Sequence, residues 1–457
     1  MKEKVTAVFD IGKTNKKFFL FDKDFQEVYR EYTRFDTTED EDGYPTEDLE
    51  KLKKWLKKVF DSILNAKQYN ITSINFSTYG ASLVHLDEND EVLTPLYNYT
   101  KDIPQDIIDL FNEKYGSKLD FAVTTGSPVS GMLNSGLQLF WLKHTKPEIF
   151  KKIKYSLHLP QYVSYIFTGI AVSEYTSIGC HTALWNYAKK DYHDWVYKEE
   201  INKILPRIVS AETSINMNYN GKRIKLGVGI HDSSAALLPY IRSVKKKFIL
   251  VSTGTWSIAM NPFSKGGLKD SDIKKKCINY MRINGKTVKA SRLFLGNEYK
   301  EQIKRLSNHF QVPLDYHKTI RFDHDIYFTI VKNFEHMYKW VCISDEKMAK
   351  STKIPYTTFE YAYHQLMVEL VLMQVESIKT VSGKEKIKKL YIDGGFSDNE
   401  VFIQLMSHYL RNMTLSTTNS SLGSALGAAL CISDTKLNAK FLRKNYTLKK
   451  HLPFIIQ

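Results

Sequence analysis

The stretch VFDIGKTNKKFFLFD, Val8 to Asp22, decides how the rest of the chain is read. Its Gly-Lys-Thr could close a Walker motif, G-x-x-x-x-G-K-[ST], in which a strand runs into a loop of backbone amides and then into a helix N-terminus. Two features exclude that motif. Ala7 stands where the first glycine is needed, and Lys17-Phe18-Phe19-Leu20-Phe21 has the aromatic composition of a strand. What remains is a hairpin: an apolar strand, a turn over Asp10-Ile11-Gly12-Lys13-Thr14-Asn15, and a second strand. Such residues are common in plain surface turns. They also group backbone, hydroxyl and ammonium donors beside a carboxylate, a set able to hold phosphate with a metal ion near Asp10.

The theme recurs in KFILVSTGTWSIAMNP, Lys247 to Pro262, where an apolar strand runs into Ser252-Thr253-Gly254-Thr255 and a second strand starts at Trp256. The two hairpins lie about half a chain apart, which suggests a duplicated domain with one phosphate loop per copy. Between them residues 46–69 place Leu49, Leu52, Trp55, Leu56, Val59, Phe60, Ile63 and Leu64 at helical spacing. SINFST follows as a strand. Strand and helix therefore alternate, which predicts an α/β fold. SGLQLFWLKHTKPEIF and LPQYVSYIFTG read as helices closed by Pro or Gly. A chain of 457 residues exceeds one hydrophobic core. The expected division is 1–243 and 244–457, with a hinge in IRSVKKK and a nucleotide gripped in the cleft between the lobes.

Composition narrows the classes of partner. The formal net charge is +15, but the lysines fall in short runs with no basic helix, zinc finger or RNP-like strand. They read as a solvated surface whose field favours a small anion such as a nucleotide, not as a nucleic-acid site. No apolar run has the length of a membrane span, and MKEKVTAVFDIG meets an acid and a glycine too early for a signal peptide. Cytoplasm and no membrane partner are expected, and the oligomeric state is left open, a homodimer included. Four scattered cysteines, Cys180, Cys277, Cys342 and Cys431, have no metal-ligand spacing and read as buried or incidental thiols.

Three further stretches carry chemistry. KKLYIDGGFSDN runs a strand into Asp393-Gly394-Gly395 and starts a helix near Asp398, with glycines that let a flat ligand approach the backbone. SSLGSALGAALC, Ser420 to Cys431, is a helix of small residues suited to close packing. LGVGIHDSSAALLPY places His231 and Asp232 between a strand and a helix. Asp232 reads as an N-cap and as a candidate general base, and the two roles are compatible.

Taken in order, the opening hairpin, STGTW, GIHDSSAA and DGGFSDN resemble the FGGY carbohydrate kinases of the actin-like ATPase superfamily over nearly the whole chain. The resemblance implies two actin-like, ribonuclease H-like α/β domains and ATP-dependent phosphorylation of a small-molecule sugar. By it Asp232 is the general base, and Asp10 holds Mg2+ through water. Gly12, Lys13, Thr14, Asn15 and Lys17 line the phosphates from one lobe, and Thr253, Gly254 and Thr255 from the other. Gly394 and Gly395 take the adenosine, while Gly80, His231 and Asn297 face the sugar.

His231 before the base, with Gly254-Thr255-Trp256-Ser257 and Asn297, is most similar to the rhamnulose kinase branch, which implies a ketose or deoxyketose such as rhamnulose or fuculose. Departures are Lys13 in place of a hydroxyl residue, Lys17 in place of Arg, and LYNYTKD in place of the Trp-x-Asp-x-Arg of glycerol and xylulose kinases. They leave the sugar open, xylulose or a polyol included. A catalytically silent sugar-binding regulator and an actin-like assembly ATPase are the other readings, and the presence of both Asp10 and Asp232 favours the enzyme.

Overall fold

A computed structural model describes residues 2–116, 118–343, 351–418 and 422–454. Two seven-stranded sheets organise these residues. In the first, β1 (Glu3–Ile11), β2 (Lys16–Phe21) and β3 (Glu27–Thr33) form an antiparallel meander, and β4 (Tyr69–Thr78) joins β1 in parallel. β5 (Ser214–Tyr219) and β6 (Lys222–Gly227) extend the sheet to the order β5-β6-β4-β1-β2-β3, and β7 (Ile230–His231) also pairs with β4. The second sheet is built from β8 (Phe248–Thr253), β9 (Ser257–Asn261), β10 (Cys277–Met281), β11 (Thr287–Leu293), β12 (Lys389–Gly394), β13 (Thr414–Thr418) and β14 (Lys449–His451). Its order is β10-β11-β9-β8-β12-β13-β14. In each sheet a central strand has its hairpin partner on one side and a parallel strand on the other. The two hairpins legible in the sequence therefore occupy equivalent places.

The central strands are apolar along their length because both sheet faces are covered. Ala7, Val8, Phe9 and Ile11 are all fully buried. One face of the first sheet is covered by α1, which spans Leu49–Asn65, shorter than the 46–69 window, with Asp48 capping the Lys51 amide. Its Leu52, Leu56 and Phe60 join Phe9 and Phe76, paired across β1 and β4, in one core. Truncating wholly buried Phe60 to Ala is expected to cost about 3–5 kcal/mol.

The other face meets α2 (Asp232–Ser243) and, beside it, the small-residue helix α6 (Gly423–Cys431), which also packs on β1 and β4. Close packing is what that helix provides: a Cβ at Gly427 would lie 1.8 Å from the Ala235 carbonyl oxygen. Asn75 Nδ2 donates to Ala428 O at 2.8 Å, so the second half of the chain is bonded into the first sheet. Ser420 and Ser421, where the helix was expected to begin, lie outside the described residues. The helices α3 (Leu295–Phe310), α4 (Phe359–Ser382) and α5 (Glu400–Tyr409, capped by Asn399) cover the second sheet. No described helix is long and apolar enough to cross a membrane.

Candidate active site

The first hairpin turn is clamped from below. Gly12 N donates to Asn15 O at 2.9 Å, closing the turn. Under it the buried Lys16 ammonium donates to the carbonyls of Gly12 (3.2 Å) and Lys13 (3.0 Å) and pairs with Glu47 at 2.8 Å. Tyr79, just beyond β4, donates to the other Glu47 oxygen at 2.9 Å. Lys13 folds over the rings of Tyr79 and Tyr99, 5.4 and 5.2 Å from their centroids. Burial lowers its pKa, opposed by the Glu47 charge.

Asp10 ends in the same place. It is buried, accepts from the Ser424 hydroxyl of α6 at 3.0 Å, and lies 3.8 Å from the Lys17 ammonium. Burial raises its pKa, the Lys17 charge and the Ser424 hydrogen bond oppose that rise, and the charge of Asp232 adds to it. The two carboxylates singled out in the sequence thus act on one another, Asp10 from β1 and Asp232 from the start of α2.

Asp232 differs from its expected role in one respect. It is the first residue of α2, not its N-cap: His231 holds that position in an extended conformation and no side chain caps the helix. The cause is β7, whose pairing of Ile230 with Ser77 and His231 with Thr78 carries extended backbone one residue further. The Asp232 carboxylate is left 37 % exposed; among the described residues it accepts only from the neighbouring Ser233 hydroxyl at 3.2 Å, and it lies 3.3 Å from His231 Nε2.

His231 is locked in place. Its amide donates to Thr176 Oγ1 at 3.0 Å, and that hydroxyl donates to the buried Glu174 carboxylate at 2.7 Å. Its Nε2 lies 3.2 Å from Cys180 Sγ, while its buried Nδ1 has no hydrogen-bond partner among the described residues. Burial lowers the His231 pKa against the pull of Asp232. Gly80 stands against the ring, where an added Cβ would come within 2.8 Å of Nε2, so only glycine lets the imidazole occupy this position. The rings of His181 and Tyr280 complete the surroundings, 6.5 and 6.0 Å from that of His231.

The second hairpin turn, by contrast, is open. Gly254, Thr255 and Trp256 are exposed, and Gly254 N donates to Trp256 O at 2.8 Å. Thr253 points inward: its hydroxyl donates to Asp393 O at 2.6 Å and accepts from Phe396 N at 3.0 Å, tying the turn to β12. Gly254 and Thr255 line a cleft of about 940 Å³ together with Gly296, Tyr299, Gly395 and Phe396. Gly394, next to Gly395 and also exposed, is at φ +90° and is not among the residues that line the cleft. Asn297 bonds to the turn through its amide (Thr255 O, 3.2 Å), and its side chain donates to Cys342 Sγ at 3.1 Å. Asp10, Lys17, Gly80, His231 and Asp232 therefore form one group, and Gly254, Thr255 and Gly395 another along the cleft. No contact brings Asn297 to His231.

Residues 5–235 match the model of the FGGY family of carbohydrate kinases, N-terminal domain. The chain belongs to that family. A rhamnulokinase of Oceanobacillus iheyensis is 26% identical over 199 residues, 42% of this chain and 41% of the relative. A gluconokinase of Bacillus subtilis is 23% identical over 267 residues, 54% and 49% of the two chains. The chain thus spans less than half the length of these curated relatives. A solved carbohydrate kinase from Novosphingobium aromaticivorans superposes with a TM-score of 0.79 at 21% identity, covering 99% of this chain and 95% of that one. The FGGY chain accordingly has the α/β fold of two sheet-rich, actin-like domains.

Sequence reasoning missed Lys16, Glu47, Tyr79, Thr176, Cys180, His181, Tyr280 and Arg292 around these groups. Only YTSIGCHT, Tyr175 to Thr182, where Thr176, Cys180 and His181 fall close together, offered a local signal for any of them.

Proposed function

We propose that the chain transfers the γ-phosphoryl group of ATP to a sugar hydroxyl, with Asp232 as the base that receives the hydroxyl proton. The observation that carries this reading is the meeting of Asp10 and Asp232 at the first hairpin turn, where the exposed Thr14 hydroxyl has no partner among the described residues. The halves 1–243 and 244–457 act as the two lobes. Gly12, Lys13, Thr14, Asn15 and Lys17 bind phosphates from one side and Thr253, Gly254 and Thr255 from the other, with Gly395 in the 940 Å³ cleft and Gly394 beside it at the adenosine. Phosphoryl transfer needs positioning and charge stabilisation more than a strong base, which suits an exposed, weakly bonded carboxylate.

The residues fit Mg2+. Asp10 is buried, repelled by Asp232 and only partly compensated by Lys17, so a hydrated dication beside it relieves its burial. When bound, that ion supplies neutralising charge to the phosphate oxygens.

The acceptor is a ketose or deoxyketose of the rhamnulose type, a preference that rests on His231, Gly80 and the named relative. Asn297 supports it less, since its side chain is turned to Cys342. A coupled ADP-release assay across ketoses, deoxyketoses, polyols and sugar acids tests the reading. Release should require both an acceptor and Mg2+, and release that ignores the acceptor sinks it. With the acceptor found, His231→Ala should weaken it by about 1–3 kcal/mol without changing ATP affinity. A lower melting temperature with equal loss for every acceptor would instead assign His231 to the fold alone.

A further inference from the structure

The rings of His231, His181 and Tyr280 form a triangle beside the carboxylate of Asp232. His181 lies 6.5 Å from His231 at an interplanar angle of 89°, and Tyr280 lies 6.0 Å from each. His181 is the strained member of the three. Its φ is +42° and that of Ala183 is +65°, left-handed backbone that residues other than glycine adopt only where the surroundings hold them to it. Here they do. Asn134 Nδ2 donates to His181 O at 2.7 Å, and Gly136 N donates to Thr182 O at 2.8 Å. Gly136 has no room for a side chain, since a Cβ would lie 2.7 Å from that Thr182 oxygen. What the strain achieves is the placement of the His181 imidazole in the triangle, and backbone strain of this kind gathers at sites of function.

The proton on that ring can be assigned. Nδ1 stands 2.9 Å from Leu133 O, and a carbonyl can only accept, so Nδ1 carries the hydrogen. Burial pushes the His181 pKa down to about 3, so the ring is neutral and Nε2 presents a lone pair. The residue is 8 % exposed, and Nε2 has no hydrogen-bond partner among the described residues. Unlike the orphaned Nδ1 of His231, it is not sealed from solvent. We propose that His181 is an acceptor-binding residue whose Nε2 takes a hydrogen bond from a hydroxyl of the sugar. The proposal rests on the kinase reading above only in taking the ligand to be the phosphoryl acceptor.

A neutral imidazole of fixed tautomer is selective. Nε2 accepts from a hydroxyl and repels a carbonyl or carboxylate oxygen, so a hydroxyl hydrogen is required at this point of the acceptor. A site built to pair with one hydroxyl discriminates strongly against a ligand that lacks it. A hydroxyl has a single proton, and the one given to His181 is not available to Asp232. The site therefore holds two hydroxyls at once, one at His181 for recognition and one at Asp232 for transfer, which suits a polyhydroxylated ketose.

The test uses L-rhamnulose, L-fuculose and D-xylulose as probes, with binding to the full chain measured by calorimetry and turnover by coupled ADP release. His181→Asn tolerates left-handed backbone and offers an amide N–H to Leu133 O, but has nothing at the place of Nε2. It should melt near wild type and bind ATP unchanged. The ketose that wild type binds best should bind about fivefold to a hundredfold more weakly, with KM raised to match. His181→Gln, whose longer side chain brings an amide oxygen toward the place of Nε2, should bind that ketose more tightly than His181→Asn does. The proposal is overturned if wild type binds none of the three ketoses or if His181→Asn keeps wild-type affinity. It is equally overturned if ATP and ketose weaken alike, or if His181→Gln is no better than His181→Asn. ADP release by wild type with an unchanged KM in His181→Asn sinks the His181 site and keeps the kinase reading. Ketose binding that depends on His181 without ADP release does the reverse.

Discussion

The two hairpin turns occupy equivalent places in two sheets of like order, yet they are held differently. The first, Gly12 to Asn15, sits on a buried Lys16–Glu47 pair that Tyr79 completes, and its strand carries Asp10 to within the influence of Asp232. The second, Gly254 to Trp256, is exposed and is fixed through backbone: Trp256 O accepts from Gly254 N, Thr255 O from Asn297 N, and Thr253 O from Gly395 N. The difference teaches a division of labour. A loop placed beside reacting groups has to be stiff, because a small misplacement there is costly in rate. A loop that lines an open cleft, as Gly254 and Thr255 do, can remain adaptable.

The division implies that chemistry fails from the first side and nucleotide binding from the second. The largest effect is expected at Asp232. Asp232→Asn is nearly isosteric and removes no cap, so the fold should survive while turnover falls by roughly a hundredfold to ten-thousandfold. ATP affinity, measured by calorimetry without acceptor, should hold. A variant that retained more than about half of wild-type turnover would exclude this residue as the base.

The next effect tests the clamp itself. Lys16→Met leaves Glu47 buried without its cation, and breaking such a pair from one side costs about 3–5 kcal/mol. Urea unfolding should show the loss, and Lys16→Met combined with Glu47→Gln should regain part of it. A loss below about 1 kcal/mol in the single variant would remove the contrast between the two turns.

The clamp also marks where the sequence stops being legible. Both hairpins, the strand–helix alternation and α1 follow from local patterns, apolar runs broken by donor-rich turns and a helical stripe of leucines. Asp10 and Asp232 could be picked because each ends an apolar strand. The Asp232 cap was misjudged because the pairing of His231 with Thr78 is non-local, and nothing in HDSS reveals an extra extended residue. Lys16, Glu47 and Tyr79 look like a strand residue, a loop acid and a core aromatic until β2 and β4 are brought to either side of β1. Cys180, His181, Tyr280 and Arg292 come from both halves of the chain and share no period. Their convergence is decided by how the lobes pack, which no window of sequence contains.

The smallest effects should separate the turns most directly. Thr14 and Thr255 are both exposed, and neither hydroxyl has a hydrogen-bond partner among the described residues, so each is free to meet a phosphate. A lost hydrogen bond to a charged group is worth about 1.5–3 kcal/mol. Since neither hydroxyl supports the fold, Thr14→Ala and Thr255→Ala should both leave the melting temperature unchanged. They should differ in kinetics. On the clamped turn, next to Asp10 and Asp232, Thr14→Ala should lower kcat, because its partner oxygen is positioned for transfer. On the open turn, Thr255→Ala should raise KM for ATP and spare kcat, because the loop can shift to recover part of the contact. Neither should alter which acceptor is used. If the two variants gave the same split between kcat and KM, stiffness would not distinguish the loops. If either changed acceptor preference, the assignment of both turns to one nucleotide would fall.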